Sequence, residues 1–417
     1  MHVAVLGAGV IGTTTAWYLR EAGHDVTVVE RRGGPAEETS FANGGQISVS
    51  HAEPWASPGA PVQLLRWLFR PDAPLRFRPR LDPHQWAWGL RFLRECRRNR
   101  YARNLETVVR LGLHSRTCLA DLRERTGIAY HQRREGILHF YTNRNVYAGA
   151  HEPAARMRAL GCEREVIDVA EAVAREPALA QVQPELAGAT WTPGDESGDA
   201  HVFTTGLAAI AEAQGVRFLF DTHVMGLETR GSAVTGVRLN QAGAFTSLAA
   251  DAVVVALGSF SAPLLRPLGL NLPVYPARGY SVTVPVRDPE CAYTVSLIDD
   301  EYKLVYSRLG DELRVAGMAE IDGWRQDIDP AHCRQILDRL AHCFSGAGHW
   351  DQARFWAGLR PTTPSSVPFV GTTPWQGLYL NTGHGTLGWT NACGSAALLR
   401  DRLAGEAAGL ELDYHGR

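Results

Sequence analysis

Gly7-Ala8-Gly9-Val10-Ile11-Gly12 follows directly on the apolar run Val3 to Leu6 and leads into Thr13 to Ala22, where Ala16, Trp17, Leu19 and Arg20 fit a helix. Gly23 ends that helix, and His24 to Val29 reads as a second strand closing on Glu30. Strand, glycine turn, helix, strand and acidic residue in this order are the dinucleotide-binding fingerprint of a Rossmann-like α/β unit. Gly7 permits the tight turn. Gly9, flanked by Ala8, Val10 and Ile11, lets main chain approach a pyrophosphate, and Gly12 lets helix and strand pack closely. Glu30 is placed to accept hydrogen bonds from an adenosine ribose. The motif by itself does not separate NAD from FAD.

Two later fragments repeat the strand-to-turn pattern. Ala252 to Ala256 is an apolar strand ending in Leu257-Gly258-Ser259, and Leu378 to Leu380 delivers Gly383, Gly385 and Gly388 to a helix start. Between them, Gly358-Leu359-Arg360-Pro361 sets a lone cation between residues that stiffen or bend the backbone.

Taken together and in order, several segments resemble the small-subunit type of bacterial D-amino acid dehydrogenases over nearly the whole chain. These are Gly7 to Gly12, Glu38-Thr39-Ser40-Phe41-Ala42-Asn43, Gly279-Tyr280-Ser281, Gly317-Met318-Ala319-Glu320, Gly358 to Pro361 and Asn381 to Thr390. More distantly the chain is similar to glycine oxidase, sarcosine oxidase and D-amino acid oxidase. The resemblance implies FAD and an α/β fold. An FAD-binding Rossmann-like domain of the glutathione reductase type would comprise 1–65, 195–265 and 351–417, and a discontinuous α+β substrate domain 66–194 and 266–350. It also implies cofactor contacts at Arg31, Ser40, Asn43, Gly45, Gln46, Val224, Ala256, Gly258, Gly383, Gly385, Thr386 and Leu387.

The implied reaction is oxidative deamination of a D-amino acid to a 2-oxo acid and ammonia. The substrate Cα–H faces flavin N5, and the electrons pass to a quinone or other acceptor. Arg360 is the expected anchor, because a guanidinium holds an α-carboxylate by two parallel hydrogen bonds. Tyr302 is expected to add a hydroxyl to the same carboxylate, with Tyr280 and Lys303 in reserve; a core tyrosine is the alternative. His384 sits in the turn expected beside the flavin, either as a donor or as a structural residue. His51 stands where close relatives suggest a tyrosine, and Thr363-Pro364-Ser365-Ser366 replaces a Thr-Pro-Asp-Gly turn; both leave room for a specialised substrate such as a cyclic imino acid. An oxygen-using amine or imino acid oxidase is the nearest rival. Resemblance to sarcosine oxidase sets Arg314 where that family carries an oxygen-activating lysine, which favours a dehydrogenase. A non-catalytic, membrane-associated flavin-binding subunit is the alternative of a different class.

Composition fits this reading. The 417 residues suffice for two domains, and a net charge of −2 carries no nucleic-acid signal. Seven cysteines without a C-x-x-C pair suit a reduced, cytoplasmic setting. His332-Cys333 and His342-Cys343 are ten residues apart, about 80° around a helix, and are not expected to converge on a metal. Asp195-Glu196-Ser197-Gly198-Asp199 reads as a turn. Of the 42 basic residues only Lys303 is a lysine, which points either to a task arginine cannot perform or to chance. From Arg66 to Arg103 the chain has eleven arginines, three acidic residues and Trp67, Phe69, Phe77, Trp86, Trp88 and Phe92. Such a segment is suited either to cover the active site or to rest peripherally on an anionic membrane, which the resemblance places at the inner face of the plasma membrane.

Overall fold

The computed structural model describes residues 1–67, 75–406 and 409–415. The β-branched strand His2–Leu6 lies between Asp25–Val29 and Ala252–Val255, all parallel, with Val5 opposite Val28 on one side and Val254 on the other. The six-stranded sheet runs Phe369–Thr372, Leu378–Thr382, Ala252–Val255, His2–Leu6, Asp25–Val29, Arg217–Leu219. Both faces are covered, so Val3 to Leu6 and Ala252 to Val255 of the central strands are apolar without alternation. On one face, helix Val10–Glu21 packs with Ala200–Ala213 and Gly388–Leu403, burying Ala16, Leu19, Phe203, Leu207, Ala396 and Leu399. On the other lies the antiparallel Thr222–Arg230, Ala233–Gln241, Ala244–Ala249 sheet. The amino-terminal elements match the sequence reading to within a few residues.

The second layer is a nine-stranded mixed sheet. Its order is Arg354–Thr362, Tyr275–Pro285, Glu312–Ile321, Leu304–Leu309, Ser296–Asp299, Ile137–Tyr141, Gly188–Thr192, Glu165–Ile167, with Leu75–Phe77 beside Glu312–Ile321. Two segments cross the expected partition. Arg354–Thr362 pairs along its length with Tyr275–Thr283, so the strand bearing Arg360 belongs to the large sheet rather than to the dinucleotide-binding layer. Arg98–Thr126, expected in the substrate domain, buries Leu111, Leu119 and Leu122 in the core under the small sheet.

The basic, aromatic segment divides by face. Phe69 lies outside the described residues. In helix Pro83–Glu95, capped by Asp82, Trp88 and Phe92 stack and are buried, while Trp86, Leu90 and Leu93 repeat at i, i+4, i+7 on the exposed face. No described helix is long and apolar enough to cross a membrane.

Candidate active site

One cavity of about 910 Å³ runs between the two sheets, and most of the expected site residues meet on its wall. Its dinucleotide end is built by the first strand–turn–helix. Gly7 has φ +101°, and a Cβ there would come 2.8 Å from the Ala256 carbonyl; at Gly12 it would come 1.8 Å from the Gly7 carbonyl. These glycines are demanded by packing. Gly9 is different: its backbone is extended and only the Ser40 hydroxyl approaches, at 3.4 Å, so the missing side chain leaves space for a ligand rather than for protein. Ser40 Oγ accepts from the Val10 amide at 3.0 Å and so caps the helix from a distant loop. Glu30 accepts from the amides of Ala8 and Arg32, each at 2.9 Å, which fixes its carboxylate at the cavity edge. Arg31 pairs with Glu38 and lies 4.0 Å over the Phe260 ring. The lining also includes Gly7, Val10, Ile11, Asn43, Gly45, Gln46, Val224, Ala256, Gly258, Gly383, Gly385, Thr386 and Leu387. Ala8 and Gly12 do not line it; they shape the turn beneath.

His384 lines the same cavity and keeps its Nε2 buried without a hydrogen-bond partner among the described residues. Burial alone pulls its pKa down to about 3, so the imidazole is neutral. An orphaned ring nitrogen, the open approach over Gly9 and the fixed Glu30 carboxylate are together what a large dinucleotide with a polar heterocycle requires.

Arg360 arises from the edge strand of the large sheet and crosses Gly279, where a Cβ would come 2.0 Å from its Nη1. Nη1 donates to the Met318 carbonyl at 2.7 Å and Nη2 to the Gly317 carbonyl at 3.4 Å. These acceptors exist because the strand bulges. Between the pairs Arg278 to Glu320 and Tyr280 to Gly317 the Glu312–Ile321 strand carries one extra residue, and Met318 has φ +54°. Among the described residues no carboxylate pairs with Arg360. Enclosure lowers its pKa to about 10, which leaves it charged at neutral pH and without a counter-ion.

Three expectations are corrected. Tyr302 is exposed, with its ring 4.4 Å over the Arg339 guanidinium, and does not line the cavity. The turn responsible ends at Lys303, whose φ of +54° sends Tyr302 outward; Lys303 lines the cavity, with Nζ 3.0 Å from Asp300. Tyr280 does line the cavity, but its hydroxyl donates to Glu320 at 2.6 Å and is committed there. Arg314 is buried between Thr283 and Asp199 and away from the cavity, to which the strand contributes Ala316 and Met318 instead; the position gives no argument about oxygen.

The expected His51 is joined on the cavity wall by residues that had no distinguishing pattern in the sequence, His139 and Arg164 among them. His51 lines the wall beside His139, ring centroids 6.2 Å apart. His139 Nε2 meets Ser50 Oγ at 3.2 Å and Nδ1 faces Arg164 at 3.4 Å. Since a guanidinium only donates, Nδ1 accepts and Nε2–H donates. The loop bearing His51 is fixed by buried Asp195, which accepts from Ser48 Oγ and the amides of Val49 and Ser50. The segment read as a turn is thus a loop anchor, while Asp199 caps Ala200–Ala213.

Residues 2–402 match the family model described as DAO, FAD dependent oxidoreductase. A D-amino acid dehydrogenase of Dechloromonas aromatica (strain RCB) is 51% identical over 406 residues, covering 97% of each chain. One of Paramagnetospirillum magneticum is 51% identical over 417 residues, covering 100% of this chain and 98% of the relative. Among solved structures, glycine oxidase from Geobacillus kaustophilus superposes with a TM-score of 0.75 at 24% identity, covering 98% of this chain and 96% of that one.

Proposed function

The chain belongs to the FAD-dependent oxidoreductase family, and from that premise we propose that it oxidises D-amino acids to 2-oxo acids and ammonia and passes the electrons to a quinone or another carrier. The observation that carries the reading is the Arg360 guanidinium, oriented by two carbonyls and lacking an anion among the described residues. A cation held this way takes up a carboxylate, and its remaining N–H groups fix that carboxylate by paired hydrogen bonds. The D configuration follows the relatives' activity.

Glu30, Ser40, the amides around Gly9 and the turn from Gly383 to Leu387 would hold FAD. When bound, FAD supplies the acceptor for the hydride leaving the substrate Cα. Arg360 fixes the α-carboxylate and thereby the Cα. The wall over the remaining substrate combines apolar Ile298, Val305, Ala316 and Met318 with neutral imidazoles. Such surroundings disfavour an ammonium, so the substrate sheds its proton before oxidation and no dedicated base is needed. Trp88 and Phe92, in the helix that covers the cavity, limit access of water. The imino acid hydrolyses after release.

Peripheral contact with an anionic membrane is part of the proposal. It is supported by exposed Leu81, Trp86, Leu90 and Leu93, near Arg94, Arg97 and Arg98. Assay of 2-oxo acid and ammonia from paired D- and L-amino acids with an artificial acceptor tests the catalytic claim. Product from L-amino acids alone would overturn it.

A further inference from the structure

The cavity has a second polar wall, formed by the loop bearing His51, the strand Ile137–Tyr141 and the turn from Asp300 to Lys303. Arg360 is held over the strand Glu312–Ile321, and three strand intervals separate that strand from the one bearing His139, roughly 14 Å along the sheet. The floor between them is apolar, made by Ile298, Val305, Ala316 and Met318. An amino acid fixed at its α-carboxylate therefore lays its Cβ over apolar surface and points its side chain toward the polar wall, from which His51 stands close enough for the Arg360 charge to act on it.

That wall is charge-balanced. Lys303 lies 3.0 Å from Asp300, and Arg164 lies 3.8 Å from Glu53. Both nitrogens of His139 are engaged, as above. His51 is the exception: its imidazole lines the cavity and makes no hydrogen bond among the described residues. Burial first, then Lys303 and Arg164, pull its pKa down to about 4, so it presents one donor and one acceptor. A second carboxylate or an ammonium would upset the balance, and an apolar end would leave the ring unpaired.

We propose that His51 determines specificity for the substrate side chain. It selects D-amino acids whose side chain ends in a neutral group that both donates and accepts, a hydroxyl or a carboxamide, over apolar isosteres and over charged side chains. This rests on the D-amino acid reading above.

The test compares kcat/KM for the isosteric pairs D-asparagine with D-leucine and D-serine with D-2-aminobutyrate, on the FAD-loaded enzyme with an artificial acceptor. The wild type is expected to favour the polar member, and His51→Leu to shift each ratio about tenfold toward the apolar member, the scale of a buried group left unpaired. His51→Gln, which keeps a donor and an acceptor, is expected to retain most of the preference. Each ratio is independent of the fraction of enzyme that is folded and loaded, so a merely structural role for His51 would not move it. A wild type that favours the apolar members, or ratios unchanged in His51→Leu, would overturn the inference and leave the parent reading intact. Absence of turnover with every D-amino acid would overturn the parent reading, and this inference with it.

Discussion

Replacing Arg360 with lysine keeps the charge and removes the fork. In the native site the guanidinium commits N–H groups to the Met318 and Gly317 carbonyls and still has others for a carboxylate. An ammonium has three donors on a single atom. If it serves the same two carbonyls, one donor is left, so one of the two charge-assisted bonds to the substrate is lost. A hydrogen bond to a charged group contributes about 1.5–3 kcal/mol, and about 1.4 kcal/mol is a factor of ten. The expected loss in kcat/KM is thus about 10- to 100-fold. Steady-state kinetics over a panel of D-amino acids, normalised to FAD content by absorbance, measures it. The loss should be similar for every side chain, because all substrates share the carboxylate. Kinetics within about threefold of wild type on all substrates, with flavin retained, would refute the assignment of Arg360.

Gly9→Asp is expected to purify without FAD, because the only space over Gly9 would receive a carboxylate where phosphates must lie; stoichiometric flavin in the variant would contradict this. Lys303→Arg should lower turnover by about threefold or more, roughly 0.7 kcal/mol, because the residue faces the cavity from a left-handed turn; unchanged stopped-flow reduction would make the lysine incidental. His384 has a folded pKa near 3 against 6.5 unfolded, so between these values the unfolded chain binds the extra proton and stability rises with pH. From pH 6.5 to 4 the urea midpoint of His384→Asn should therefore fall less, or rise more, than that of wild type, buried carboxyls that titrate in the opposite sense being common to both; equal changes would contradict the neutral imidazole. Liposome flotation should show binding to anionic vesicles that weakens as salt shortens the Debye length below about 8 Å; no binding at low salt would leave the exposed helix face a cover only.

The legible parts of the chain were those whose chemistry is local. A tight turn demands glycine at Gly7 and Gly12, so the turn, its flanking strands and Glu30 could be read along the sequence. Arg360 was marked by its neighbours in the same way. Side-chain direction at the turn before Lys303 was not legible. Tyr302 and Lys303 are adjacent and both exposed, and only the left-handed backbone at Lys303 and the position of Arg339, far along the chain, set the one against Arg339 and the other at the edge of the cavity. Nor was the bulge at Met318, which depends on a register set by two partner strands. His51, His139, Arg164 and Asp195 come from separate segments and carry no shared spacing; their meeting is a property of the fold. Chain order alone puts the strand Arg354–Thr362 with the dinucleotide-binding segments, but which sheet a strand joins depends on its pairing partner, here Tyr275–Thr283.

The central claim is tested most directly by anaerobic absorbance spectra of the purified protein before and after addition of single amino acids, followed by a quinone. The account predicts a flavin spectrum as purified, bleaching by D-amino acids and not by their L-enantiomers, and return of colour with the quinone. Bleaching by L-amino acids alone, or a protein that carries flavin and is bleached by neither series, would contradict it.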